Sequence, residues 1–407
     1  MNATNRIAVL KFGGTSVASR EQREVAIARV RDARGDGFAT LAVVSAMGRI
    51  PDPYATDSLL ELVDGRTGTA NTDVLLTAGE LIAAAVFADE LSAAGIPATA
   101  LSGAQAGIVT DACYGDAKIL RVEPNAIREL FAAGVVPVVA GFQGASERGE
   151  PTTLGRGGTD LSAVAIGHAL GAERVDIYTD VSGAMTADPR TISAARTIER
   201  ASLEEMTELS EHGAKVMHHK AAEYADRTGT RYAIKGLSTD LGTLVDQTVD
   251  HHRPVTGVTS TGRMTWVRVI RGDIESPSRR MQTELEMFAR LSGAAISIDQ
   301  VTINQAGVAF VVGGDRAAEL RGLLGDLNLA VRVREGCSKL SIVGSGMRGT
   351  PGVVREVVEA LSRENVEIIH CTDSNVTISI LVPAGDVARA ERAVHEQFHL
   401  DAGDPLP

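Results

Sequence analysis

From residue 7 onward the chain alternates short, almost wholly apolar runs with longer stretches of helical period. Ile7–Leu10, Leu41–Val44, Val135–Ala140 and Val175–Thr179 read as strands buried on both faces. Between them, residues 20–34, 71–94 and 159–170 carry apolar side chains at helical spacing. Thr72 is the expected cap of the second helix and Gly95 its stop, and Thr159 is the expected cap of the third. Strands alternating with helices predict an α/β domain whose mainly parallel sheet is sandwiched by helices.

After about Arg253 the pattern changes to two successive α+β units. The first runs from a strand near Trp266–Ile270, through a helix entered at Pro277, to strands at Ala295–Val301 and Gly307–Val312. The second has a strand at Lys339–Val343, a helix entered at Pro351, strands at Val366–Cys371 and Val376–Val382, and a last helix over Gly385–Phe398. Proline fits the first turn of a helix, where its missing N–H costs nothing. This weak repeat of about 70 residues predicts two small ferredoxin-like modules. The expected domains are 1–250, 251–334 and 335–407, with His251–Pro254 as the linker.

Composition narrows the function. With 407 residues and a net charge of −12, the chain is long enough for several cores and poorly suited to nucleic acid, whose phosphates demand basic surface. Forty-two glycines beside 3% aromatics favour tight turns and close backbone approaches. Cys113, Cys337 and Cys371 are widely spaced and fit neither a zinc site nor a disulfide framework, as expected of a cytoplasmic protein. The polar start and the broken apolar stretch over 131–142 predict neither a signal segment nor a membrane span.

The chemistry concentrates in two glycine-rich segments. Lys11-Phe12-Gly13-Gly14-Thr15-Ser16 follows the first strand, where glycine backbone can approach a phosphate and Lys11 supplies a point charge. The lysine precedes the glycines, so this is not a Walker A loop. Thr153-Leu154-Gly155-Arg156-Gly157-Gly158-Thr159-Asp160 opens a helix, offering free N–H groups to an anion and a guanidinium for a carboxylate. Thr179-Asp180 ends an apolar strand at the carboxyl edge of the sheet, where ligands of open α/β sheets bind.

These segments, with Val-Ser-Ala-Met-Gly at 44–48, Leu-Thr-Ala-Gly-Glu at 76–80, Gly-Phe-Gln-Gly at 141–144, Tyr-Thr-Asp-Val at 178–181 and Thr-Ala-Asp-Pro-Arg at 186–190, resemble the aspartokinase branch of the amino-acid kinase family. The resemblance covers nearly the whole chain and implies the amino-acid-kinase fold followed by tandem ACT modules. It implies transfer of the ATP γ-phosphoryl group to the side-chain carboxylate of L-aspartate, with Mg²⁺ on the nucleotide. By the same resemblance Lys11, Glu80 and Asp180 are catalytic. Ser45, Glu80, Phe142, Arg156, Gly157, Gly158 and Thr159 hold the amino acid, Glu80 taking its ammonium and Arg156 a carboxylate. Lys11, Gly13, Gly14, Thr179, Asp180, Met185, Arg190 and Lys215 line the nucleotide site. Asp299, Ser345, Gly346, Met347 and Asp373 contact an amino-acid effector, and the ACT modules imply a homo-oligomer.

Three features pull elsewhere. Gly344-Ser345-Gly346-Met347-Arg348-Gly349 spells a dinucleotide fingerprint, but a hairpin expected at Asp373-Ser374-Asn375 denies it the βαβ context. His218 and His219 lie in an expected helical stretch from Gly213, where neighbours diverge by about 100° and read as a solvated face. Arg231-Tyr232-Ala233-Ile234-Lys235-Gly236 departs from the Arg-x-Arg-Ser of the family, which leaves room for a paralogue acting on an aspartate analogue or a regulatory subunit with weakened kinase.

Overall fold

The computed structural model describes residues 6–402 except 215, 248, 250–252, 271–276, 326, 328 and 329. It divides into two compact units, Met1–Met185 with Thr197–Asp250, and Thr186–Arg196 with His251–Pro407. The segment 186–196 therefore folds with the second unit although its neighbours on both sides belong to the first.

The first unit is built on an eight-stranded sheet. Its order is Arg200–Ser202, Gly242–Asp246, Tyr232–Gly236, Arg174–Thr179, Ile7–Phe12, Ala39–Val44, Val136–Ala140, Ala98–Leu101. Only the pairing of Tyr232–Gly236 with Gly242–Asp246 is antiparallel. The central strand Ile7–Phe12 has parallel neighbours on both sides, and its apolar run is buried on both faces, as the continuous pattern requires. On one face Ala8, Leu10 and Phe12 pack with Ala26, Ile27 and Val30 of the helix Arg20–Gly35 and with Ala83, Ala84 and Phe87 of the helix Ala70–Ala93. Phe12 stacks on Tyr178 with ring centroids 5.2 Å apart, and each such buried ring contributes about 1.5–3 kcal/mol. On the other face the helix Gly158–Leu170 comes so close that a Cβ on Gly167 would lie 2.6 Å from Val175 Cγ2.

Two helix starts differ from expectation. Thr69, not Thr72, caps Ala70–Ala93: its side chain accepts from Thr72 N, and Thr72 already lies inside the first turn. Gly157, not Thr159, caps Gly158–Leu170, because its φ of +71° turns the chain into the helix with no side-chain hydrogen bond. A four-stranded sheet of Ile119–Val122, Ile108–Thr110, Gln143–Ser146 and Pro151–Thr153 completes the unit. Its strands are only three or four residues long, too short for alternation to reveal.

The second unit is one continuous antiparallel sheet in the order Ile298–Asn304, Gly307–Gly313, Gly257–Ile270, Ala330–Val343, Thr377–Pro383, His370–Asp373. The two 14-residue strands Gly257–Ile270 and Ala330–Val343 pair along their length, with register shifts between Thr261, Met264 and Trp266. Position 334/335, where the repeat placed a boundary, lies inside the second of these strands. The helix expected to enter at Pro351 begins at Val353, with Gly352 at its cap and φ +102°. The hairpin Asp373–Thr377 is present, so the fingerprint at 344–349 leads into antiparallel strands and not a crossover.

Candidate active site

Four adjacent parallel strands end at one edge of the first sheet: Arg174–Thr179, Ile7–Phe12, Ala39–Val44 and Val136–Ala140. Their register sets Phe12 level with Val44 and Tyr178, and Val44 level with Ala140. The residues that follow, Gly13, Ser45, Gly141 and Thr179, therefore emerge side by side, with Asp180 one step beyond. Parallel pairing brings these distant segments to one carboxyl edge.

Lys11 occupies the last turn of its strand's pleat on the face of the helix Gly158–Leu170. It is 8% exposed, and its Nζ lies 2.7 Å from Asp160 Oδ1. The contact is Coulombic in character, since Oδ1 meets no donor at hydrogen-bonding angle. A Cβ on Gly13 would sit 3.4 Å from the same Nζ, so the bare glycine keeps the space above the ammonium open. Ser45 Oγ donates to Thr159 Oγ1 at 2.9 Å, joining the second strand end to the same helical turn. Thr159 thus serves the site through its side chain and not as a cap.

Arg156 precedes this helix and is exposed, with no hydrogen-bond or ion-pair partner among the described residues. Gly157 holds the loop: a Cβ there would fall 2.0 Å from His218 Cβ, and its positive φ already disfavours a side chain. His218 is not part of a solvated helical face. It caps the helix His219–Thr228 by accepting from Lys220 N at 3.4 Å, and burial pushes its imidazole below the ordinary value. The ammonium of Lys220 pairs with Asp116 beside Gly155. Phe142, at φ +64°, packs against Gly158, where a Cβ would lie 2.9 Å from its ring.

Glu80 projects from the long helix into a nearly dry position, 2% exposed. Ala46 N donates to its Oε1 at 3.4 Å, and Oε2 has no partner. Burial pushes its carboxyl up to about 8. A buried carboxylate with one unsatisfied oxygen is suited to receive a cation.

The expected nucleotide residues divide. Thr179 Oγ1 donates to Asp180 Oδ1 at 3.1 Å, and Arg49 reaches Asp180 Oδ2 at 3.3 Å on exposed surface. Met185 Sδ accepts from Thr197 Oγ1 at 3.6 Å. Arg190 lies in the 186–196 segment of the second unit, its guanidinium on Asp188 at 2.6 Å. Lys215 lies outside the described residues. The divergent 231–236 segment sends its cations away from the carboxyl edge. Arg231 bonds the Glu173 carbonyl at the start of its neighbouring strand, and Lys235 pairs with buried Asp176 at 3.1 Å.

In the second unit three expected effector residues, Met347, Gly346 and Asp299, have structural work. Met347 is buried among Val353, Val357 and Ile378, and a Cβ on Gly346 would lie 2.5 Å from the Arg253 carbonyl. Asp299 pairs with buried Lys339 at 2.6 Å, while Asp373 is exposed at the hairpin. Ser345 stands in a short 3-10 turn at the strand end.

Sequence reasoning did not single out Asp160 or Asp73, and it read His218 as solvated surface. Asp160 stood at the end of a quoted motif, but nothing local tells that its partner is a lysine about 150 residues earlier.

The amino acid kinase family model matches residues 6–236, and an ACT domain model matches 340–398. Aspartokinase 1 of Bacillus subtilis is 38% identical to this chain, covering 97% of it and 99% of the relative. The chain belongs to the aspartokinases. Aspartokinase of Geobacillus stearothermophilus is 36% identical, covering 97% of both chains. E. coli aspartokinase III, solved with aspartate and ADP, superposes with a TM-score of 0.76 at 25% identity, covering 97% of this chain and 100% of that one. Aspartokinase membership makes the chain a kinase of the α/β class with ACT-type regulation. No helix among the described residues is long and apolar enough to cross a membrane.

Proposed function

We propose that the carboxyl edge described above transfers the γ-phosphoryl group of ATP to the side-chain carboxylate of L-aspartate, giving 4-phospho-L-aspartate and ADP. The observation that carries the reading is that Lys11 and Ser45 reach Asp160 and Thr159 in the first turn of one helix, which Arg156 directly precedes, while the buried acid Glu80 accepts from Ala46 N next to Ser45. The space above Lys11, kept clear by Gly13, fits a nucleotide phosphate. Lys11 stabilises charge on the transferring group, and Asp160 fixes where that ammonium points. Glu80 takes the substrate ammonium, and Arg156 takes a carboxylate bidentately, with Ser45, Phe142, Gly157, Gly158 and Thr159 shaping the pocket.

The substrate carboxylate is ionised at neutral pH and needs no general base. Its oxygen attacks Pγ, the bond from Pγ to the β–γ bridging oxygen breaks, and ADP leaves with that electron pair. Positioning and electrostatics carry the rate. Mg²⁺ would arrive on the nucleotide oxygens. Gly14, Thr179, Asp180, Met185, Arg190 and Lys215 are assigned to the nucleotide. The domains are taken as a kinase domain over 1–250 and ACT modules over 251–334 and 335–407, working as a homo-oligomer in the cytoplasm on the route to lysine and threonine. An amino-acid effector would use Asp299, Ser345 and Asp373; lysine accompanies aspartate in one structure of E. coli aspartokinase III.

The test is ADP release by the purified full chain with aspartate, glutamate and aspartate analogues, with and without lysine or threonine. Turnover with aspartate well above the others is expected. Amino-acid-independent ATP hydrolysis alone would sink the reading.

A further inference from the structure

We infer that Asp73 is a positioning residue that fixes the span between the receptors for the two ends of the amino-acid substrate, and so sets which chain length of acid is accepted. The inference rests on the assignment of Glu80 and Arg156 to the substrate.

Asp73, Thr77 and Glu80 lie on one face of the helix Ala70–Ala93, one and two turns apart. Asp73 is completely buried, and both of its oxygens are used. Oδ2 accepts from Thr153 N at 2.7 Å and from Gly115 N at 3.0 Å, and Oδ1 accepts from Thr153 Oγ1 at 3.0 Å. A turn further on, Gln143 Nε2 donates to the Thr77 carbonyl at 3.0 Å. Thr153 stands three residues before Arg156, and Gly115 precedes the Asp116 that pairs with Lys220 beside Gly155. The helix that carries the ammonium receptor and the loop that carries the carboxylate receptor are thus joined by one buried carboxylate.

Apolar packing alone would hold a helix on a hairpin but would let it slide. A buried carboxylate with three donors is directional and holds the helix and the loop in one register. Direction is what discrimination between aspartate and glutamate needs. The two differ by one methylene, which a site can separate by only about 10–200-fold, and only if its receptors stay fixed to less than a bond length.

The test measures kcat and KM for aspartate and glutamate, and KM for ATP, in the full chain and three variants. Asp73→Ala is expected to raise the aspartate KM about tenfold or more, to leave the ATP KM within about twofold, and to lower the aspartate-to-glutamate ratio of kcat/KM about tenfold. Asp73→Asn can accept both N–H groups with its carbonyl and donate to Thr153 Oγ1, so it should keep the selectivity. Thr153→Val loses only the hydroxyl bond, and a shift of about threefold in the same direction is expected on a protein that still folds, with a lowered Tm because Asp73 Oδ1 is left without its donor. If Asp73→Ala does not fold, Thr153→Val decides. Unchanged selectivity in folded Asp73→Ala or in Thr153→Val overturns the inference, as does a parallel rise of the aspartate and ATP KM values. If the unmodified chain turns over neither acid, the kinase reading fails first and the clamp falls with it.

Discussion

Two glycine-rich turns in this chain follow strands and lead toward helices, yet they do opposite things. Around Gly155–Gly158 the neighbours are ionic: Arg156 stands free in solvent, Lys220 and Asp116 pair beside the loop, and Lys11 and Asp160 meet at the helical turn. Around Gly344–Gly346 the neighbours are backbone carbonyls of Arg253 and Pro254, and Met347 points into an aliphatic core. Both need glycine because another part of the chain lies where a Cβ would be. Arg348 beside the second turn is as exposed as Arg156, so what sets the first apart is that its charges gather at a helix start on the carboxyl edge, where an anion can bind.

The comparison breaks most visibly at Lys11. Lys11→Ala should lower kcat about 10²–10³-fold, the scale of losing one preorganised charge at a reacting group. It should also lower Tm, because Asp160 is left half-buried without its cation. Adding Asp160→Asn should recover the Tm and none of the turnover. A double variant with restored activity would mean that Lys11 holds the fold and not the phosphoryl group.

Next comes a crossed pair. Arg156→Ala should raise the aspartate KM about a hundredfold with no loss of Tm, since an exposed, unpartnered guanidinium supports nothing. Met347→Ala should do the reverse, costing about 2–5 kcal/mol of stability in the second unit with the aspartate KM unchanged. If Arg156→Ala costs stability, or if Met347→Ala moves the KM at intact fold, the distinction between the two turns is lost.

Glu80 sharpens the first region through pH. With its carboxyl at about 8 it is largely protonated at neutral pH in the free protein, and a neutral carboxyl holds an ammonium weakly. The aspartate KM should fall as pH rises toward 8 and flatten above it, and Glu80→Gln should abolish the slope. For folding the sign is opposite. The ordinary value is 4.5, so the folded chain holds this proton more tightly than the unfolded one. That contribution is whole below about 4.5 and is lost as pH climbs through about 8. A pH-independent aspartate KM in the unmodified chain would remove Glu80 from the ammonium.

How far the sequence could foresee all this depends on range. The apolar strands, the long helix with its stop at Gly95, and the lysine and arginine glycine segments were legible because each is local. The partners were not. Asp160 beside Lys11, Asp73 beneath Thr153 and His218 against Gly157 are brought together only when parallel strands align, and periodicity carries no register. Gly157 displaced Thr159 as a cap because a left-handed residue already turns the chain into the helix. In the second unit the two modules expected from the repeat keep a core each but share one sheet, which the sequence did not foresee because the irregular registers of the two long strands disguise their alternation.

The smallest effect is expected at Arg190, where the sequence pattern and the fold point to different regions. By resemblance it serves the nucleotide, yet its segment folds with the second unit and its guanidinium is on Asp188. That pair is largely exposed, so Arg190→Ala should change stability by no more than about 0.5 kcal/mol. If Arg190 reaches the nucleotide, the ATP KM should rise about threefold to tenfold at constant aspartate KM, within the range of one charged contact at a solvent-facing phosphate. Asp188→Asn separates the possibilities, because it frees the guanidinium and should lower the ATP KM. An ATP KM that ignores both substitutions would remove Arg190 from the nucleotide.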